Sequence, residues 1–148
     1  MTASAQAITP TVPTEGSSLP IRQFTVTRSD LIRYAAASGD LNPIHWSDRS
    51  ARRAGLPGVI AHGMLTLGLA IRAVVEWAGP QAVVLDCRAG FTQPVVVPDD
   101  DTGVCLSVGG IVTATPGPGR FRIRLTVHQG TTKVLGRAHA LVVLRQAA

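Results

Sequence analysis

The sequence predicts an α+β fold in which a long central helix is wrapped by a curved antiparallel β-sheet. Three observations carry that expectation. Residues 61–78 are apolar on nearly every side of a helical wheel, so a helix there has to be buried. After Gly79-Pro80 the apolar period changes to two and keeps that period, with short turns, as far as Leu144. Helices therefore come first and strands follow, an order that gives an antiparallel sheet and not a βαβ stack.

The elements follow in order. Residues 1–20 are rich in Thr, Ser, Pro and Ala without an apolar period and are expected to form a flexible arm, leaving 21–148 as a single domain. Phe24 and Val26 alternate with polar neighbours over 23–27, a short edge strand or lead-in. Thr27 or Ser29 can cap a helix that begins near Asp30, carries Leu31, Ile32, Tyr34 and Ala35 on its apolar side, and stops at Gly39. The chain is irregular over 41–57 apart from a short helix at 48–54, ended by Gly55 and Pro57. In the central helix Gly63 and Gly68 are expected to let other backbone approach closely. Val83, Leu85, Cys87, Ala89 and Phe91 then mark one strand and residues 103–115 a second. Pro116-Gly117-Pro118-Gly119 is a turn. Phe121, Ile123, Leu125 and Val127 alternate with Arg122, Arg124, Thr126 and His128 in a half-exposed strand, and after Gln129-Gly130 a last strand covers 133–144. One buried helix beside one meander points to the hot-dog architecture.

Composition narrows the function classes. A chain of 148 residues, 45% hydrophobic, has room for one well-packed core. The two cysteines, Cys87 and Cys105, match no metal spacing and no disulfide framework, and each is expected to be a buried free thiol. The net charge of +5 is dispersed, densest at Arg49, Arg52 and Arg53, without the aromatic interleaving of a nucleic-acid surface; no nucleic-acid partner is expected. The first basic residue is Arg22, so no charged leader region precedes an apolar one. The longest apolar run, 63–75, contains Arg72 and falls short of the ~20 residues of a membrane span, so a cytoplasmic protein is expected.

Two segments can carry chemistry. In Asp40-Leu41-Asn42-Pro43-Ile44-His45, Gly39 permits a sharp exit from the preceding helix and Pro43 keeps Asn42 out of helical geometry, so the loop is stiff. Such a bend can bring Asp40 and His45 to one point, and a carboxylate with an imidazole around one water makes a general acid–base pair. The same residues also suit an ordinary turn. The second segment, Ile60-Ala61-His62-Gly63-Met64-Leu65, opens the central helix. The first amides of a helix lack internal partners and present partial positive charge, and Gly63 leaves its N–H open to a ligand, as an oxyanion donor or simply for close packing. His62 is expected to be a hydrogen bonder or cap and not a base.

Together, Tyr34, Ser38-Gly39-Asp40-Leu41-Asn42-Pro43-Ile44-His45-Trp46 and Ala61-His62-Gly63-Met64 resemble the motifs of the MaoC-like, or (R)-specific enoyl-CoA hydratase, family of hot-dog proteins. The resemblance covers about residues 23–144. It implies reversible syn addition of water to a trans-2-enoyl thioester to give a (3R)-3-hydroxyacyl thioester, with no metal or other cofactor. It implies Asp40 and His45 as the catalytic pair, Gly63 as the oxyanion-hole glycine, and Asn42, with Pro43 and Gly39, as support for the loop. The substrate would be an acyl-CoA or an acyl carrier protein thioester of fatty-acid metabolism, or alternatively an intermediate of a polyketide or other specialised pathway. Arg49, Arg52 and Arg53 would meet its phosphate or an acidic carrier. Some family members carry a serine eight residues after the glycine, where this chain has Ile71. A dimer is expected, with an identical chain or with a second hot-dog chain; in some two-chain enzymes one subunit only holds the acyl group, which is the non-catalytic alternative for this chain.

Overall fold

The computed structural model describes residues 12–145. Its elements are β1 (Ser18–Val26), α1 (Arg28–Ser38), a 3-10 turn (Pro43–His45), α2 (Asp48–Arg53), α3 (Gly63–Ala78), β2 (Ala82–Phe91), β3 (Val104–Gly117), β4 (Arg120–Gln129), β5 (Thr132–Lys133) and β6 (Leu135–Leu144). The six strands form one antiparallel sheet in the order β1-β3-β4-β6-β2, with β5 beside β4. The sheet is open and packs around α3, the hot-dog arrangement.

The alternation in β4 sets one wall of the core: Phe121, Ile123, Leu125 and Val127 are buried while Arg120, Arg122 and Arg124 face out. From β3, Leu106, Val108 and Val112 join them, and from β6, Leu135, Ala138, Ala140, Val142 and Leu144. Helix α3 presses Leu67, Ala70, Ala73 and Val74 onto this wall. Its small residues let a helix lie close to a sheet.

Several expectations change. The expected arm lies outside the described residues over 1–11, but its inner end is strand: β1 starts at Ser18 and buries Leu19. Pro20 hides this strand in the sequence; it is tolerated because β1 is an edge strand and its register against β3 shifts between Leu19 and Arg22. The single last strand is two, broken at Val134, whose N–H bonds the Val127 carbonyl; β5 and β6 follow one another along the same side of β4, opposite β3, with a shift in register between them. The strands are not a simple meander, because β2 pairs with β6 and leaves β3 to β1. Finally, Cys87 and Cys105 are exposed, not buried: in β3 the neighbour Leu106 points inward, and Cys87 lies on the edge strand β2.

Helix α3 is not buried all round. Met64, Gly68 and Arg72 are exposed, since an open sheet covers one side only. Gly68 has nothing close to it, and what approaches Gly63 is the Phe91 ring, not backbone.

Candidate active site

The loop between α1 and α2 is built from local hydrogen bonds. Thr27 caps α1 in a reciprocal box with Asp30. At the other end Gly39 takes the left-handed conformation, φ 75°, which releases the chain sharply from the helix. Ser38 Oγ donates to the Tyr34 carbonyl at 2.7 Å and accepts from the Asp40 amide at 3.2 Å. Asp40 Oδ1 accepts from the Asn42 amide, and Asn42 Oδ1 from the Ile44 amide, each at 3.2 Å. These two successive side-chain-to-backbone turns hold the loop, and Asn42 keeps the extended ψ of 123° that a following proline requires. Pro43 opens the 3-10 turn that ends on His45. Gly39, Asn42 and Pro43 all lie in this loop, Gly39 at its entry and Pro43 at the start of the 3-10 turn.

The loop brings Asp40 and His45 together. His45 is buried, and its Nε2 stands 3.8 Å from Oδ2 of Asp40, whose side chain is 51% exposed. His45 Nδ1 is 2.8 Å from the Ile60 carbonyl. A carbonyl only accepts, so Nδ1 carries the proton and Nε2 of the neutral ring keeps its lone pair, aimed toward Asp40. At 3.8 Å the pair is too far apart for a direct hydrogen bond and suited to a water held by both.

The segment before α3 supplies the other half. Ala61 N–H bonds the Val95 carbonyl and Val97 N–H the Val59 carbonyl, which draws residues 91–97 against the loop. Gly63 is the first residue of α3, and His62, its N-cap, makes no side-chain cap bond. A methyl placed on Gly63 would meet the Phe91 ring at 2.8 Å. His62 is fully buried; its Nε2 donates to the Asp40 carbonyl at 3.2 Å, and its ring stacks on His45 with centroids 3.8 Å apart. Burial, chiefly, holds the His62 ring below the usual histidine range.

Asp40, His45, Gly63, Tyr34 and Thr66 all line one cavity of about 590 Å³, closed on its far side by Phe91 to Val95 and by Val134 and Leu135. Those last residues come from distant parts of the chain, and nothing in their own sequence marks them. Arg49, Arg52 and Arg53 do not join: they are exposed on α2 and none lines the cavity. Ile71, one turn beyond the cavity wall, packs against the core. Asp40, His45 and His62 could each offer a donor atom to a metal, within 4.8 Å of one another. The two imidazoles are stacked at 23°, however, so their lone pairs run side by side instead of converging as a metal's ligands do.

The profile of the MaoC like domain matches residues 11–117. The chain is 32% identical over 133 residues to the (R)-specific enoyl-CoA hydratase of Rhodospirillum rubrum, covering 88% of this chain and 89% of that one. It is 42% identical over 79 residues to 3-hydroxyacyl-thioester dehydratase X of Mycobacterium tuberculosis, 53% of this chain and only 27% of that longer relative. A solved MaoC-like dehydratase superposes with a TM-score of 0.81 at 32% identity, over 90% of this chain and 41% of the other. The matched span takes in the capped α1, the Asp40–His45 loop and the Gly63 helix start, and on that ground the chain belongs to the family of MaoC-like domains.

Proposed function

We propose that this chain is a hydro-lyase, a (3R)-3-hydroxyacyl-thioester dehydratase or, in the reverse sense, an (R)-specific trans-2-enoyl-thioester hydratase. The observation that carries it is His45 Nε2 facing Asp40 Oδ2 at 3.8 Å inside the cavity that Gly63 opens into. The relatives' names support the same reaction class.

In the hydration direction a water lies between His45 and Asp40. His45 Nε2 takes a proton as the water oxygen bonds to C3 of the enoyl group. The C2–C3 π pair moves toward the thioester oxygen, which accepts a hydrogen bond from the Gly63 amide at the positive end of α3. The pair then returns to C2 as Asp40 delivers a proton there. The proton held by His45 passes back to Asp40 for the next turnover. Both groups act from one side of the substrate, which gives syn addition. Asn42, Pro43 and Gly39 hold the loop that fixes this geometry. A purely acyl-holding subunit has no use for these groups together, which disfavours the non-catalytic reading.

The substrate is a thioester of CoA or of an acyl carrier protein. Arg49, Arg52 and Arg53 make no ion pair among the described residues and are free to meet phosphate or an acidic carrier beside the loop. The unit assembles as a dimer of hot-dog domains, identical or not, because β2 ends the sheet with its outer edge unpaired among the described residues.

The test is hydration of crotonyl-CoA and of C8 and C12 enoyl thioesters, followed by loss of enoyl absorbance. Wild type is expected to turn over, and Asp40→Asn and His45→Gln to lose about a hundredfold or more with the fold retained. Equal rates from all three proteins would sink the mechanism, and a wild type inactive on every thioester would sink the assignment.

A further inference from the structure

His62 is not needed by the mechanism above, yet its placement is costly. A buried imidazole loses its water, and its Nδ1 has no hydrogen-bond partner among the described residues. An apolar residue of the same size would fill the space without that penalty. The compensating contacts all lead to the site. Nε2 donates to the carbonyl of Asp40, at the head of the acid–base loop. One face of the ring stacks on His45 at 3.8 Å, and Tyr34 of α1 is tilted against it at 4.8 Å. Along the chain, His62 directly precedes Gly63 and its own carbonyl starts α3 by accepting from Thr66 N–H at 3.2 Å.

We infer that His62 is a positioning residue that locks the Asp40–His45 loop to the N-terminus of α3, so that the acid–base pair and the Gly63 amide keep a single relative geometry. The three groups come from two separate segments, and apart from the backbone bond Ile60 N–H to Ile44 carbonyl and the His45–Ile60 bond, His62 is the side-chain link between them at Asp40 itself. The ring does this as a neutral donor: Nε2 holds its proton against a carbonyl, and the bare Nδ1 has no hydrogen-bond partner among the described residues. A neutral ring is also the one compatible with His45 taking up a proton 3.8 Å away. The groups that face it are Tyr34 from α1 and Asp40 and His45 from the loop. The inference rests on the hydratase reading for its kinetic consequence, but not for its structural one.

Two variants separate positioning from bulk. His62→Phe keeps a stacking ring and removes the donor; His62→Gln keeps an N–H donor. On the enoyl thioester that wild type hydrates, His62→Phe is expected to lower kcat by about tenfold to a hundredfold with KM within about threefold, as displaced catalytic groups do. His62→Gln should recover most of that loss. In the Asp40→Asn background His62→Phe should cost less than about threefold, because it acts through Asp40. Amide hydrogen exchange gives a readout free of activity: the Asn42 and Ile44 amides should exchange at least about tenfold faster in His62→Phe, with the amides of residues 70–74 in α3 unchanged. Unaltered loop exchange, uniformly faster exchange, or kinetic losses that multiply fully with Asp40→Asn would each overturn the inference. A wild type without hydratase activity would remove the functional reading alone, and the exchange result would still decide the role of His62.

Discussion

Gly63 has two reasons to lack a side chain, and they make different predictions. It seats the Phe91 ring, which a methyl would meet at 2.8 Å, and it leaves the first amide of α3 open to the cavity. Phe91 is 53% exposed at the end of β2, so its ring has room to swing away. Gly63→Ala should therefore fold with little change in Tm and lose about a hundredfold in kcat/KM, the scale of removing one oxyanion donor. The double variant Gly63→Ala/Phe91→Ala removes the clash. Turnover is expected to stay low in it, since the methyl still stands before the amide; recovery to the Phe91→Ala level would show that Gly63 served only to seat the ring. The same residue scale explains why a bend that brings Asp40 and His45 together was legible in sequence while the tautomer of His45 was not. The loop's own residues bend it, but the Ile60 carbonyl that fixes the proton on Nδ1 comes from fifteen positions away.

At the scale of elements, the Asp40–His45 loop is held by the helices at its two ends. Arg28, in the first turn of α1, makes paired 3.1 Å bonds to both carboxylate oxygens of Asp48, the first residue of α2, and its Nε donates to the Val97 carbonyl at 2.7 Å. The Arg28 guanidinium, more than any other group, holds the Asp48 carboxyl below its ordinary range, with the Val59 amide assisting and partial burial opposing. A lowered folded-state pKa adds stability at neutral pH, which is lost as pH falls through that lowered value. Arg28→Ala should cost about 1 kcal/mol at pH 7, allowing for solvent screening of a partly exposed pair, or about 3 °C in Tm. The gap between wild type and variant should narrow below about pH 4, where the unfolded carboxyl protonates, without closing, because the bond to Val97 does not titrate. Thermal melts of both proteins from pH 7 to pH 3 check this; a gap independent of pH would refute the role given to Asp48. The pair joins residues twenty positions apart, and neither partner carries a local signal of it. By contrast, Thr27 with Asp30 at α1 is a capping pattern that can be read directly from the chain.

The whole molecule is one-sided. The open sheet covers one flank of α3 and leaves Met64 and Gly68 exposed, and β2 ends the sheet with Leu85 48% exposed and an edge unpaired among the described residues. A long edge unpaired among the described residues, with Met64 uncovered on the helix, calls for a partner. Sedimentation of the purified chain should give a dimer, or a dimer on adding a second hot-dog chain, and Leu85→Lys should shift it toward monomer with a loss of turnover. A monomer of full activity would exclude a shared site. A sheet edge left open was foreseeable from the fold class, but the exposed stripe on α3 was not. Its sequence is apolar on nearly every side, and only the number of strands that reach it decides which flank is covered.

The sequence by itself determined the order of elements, the capped start of α1, the stiff loop from Gly39 to His45 and the glycine that opens α3, because each depends on neighbours within a few residues. It also determined the inward set of β4, which follows from the alternation of a strand. Tertiary structure decided what depends on distant partners: β2 pairing with β6 instead of β3, the two strands at the chain's end, the exposure of both cysteines, and the absence of Arg49, Arg52 and Arg53 from the cavity. It also stacked His62 on His45 and carried Phe91 and Leu135 to the cavity wall. Those contacts are set by how the sheet folds around one helix, and no local pattern encodes which remote side chain arrives there.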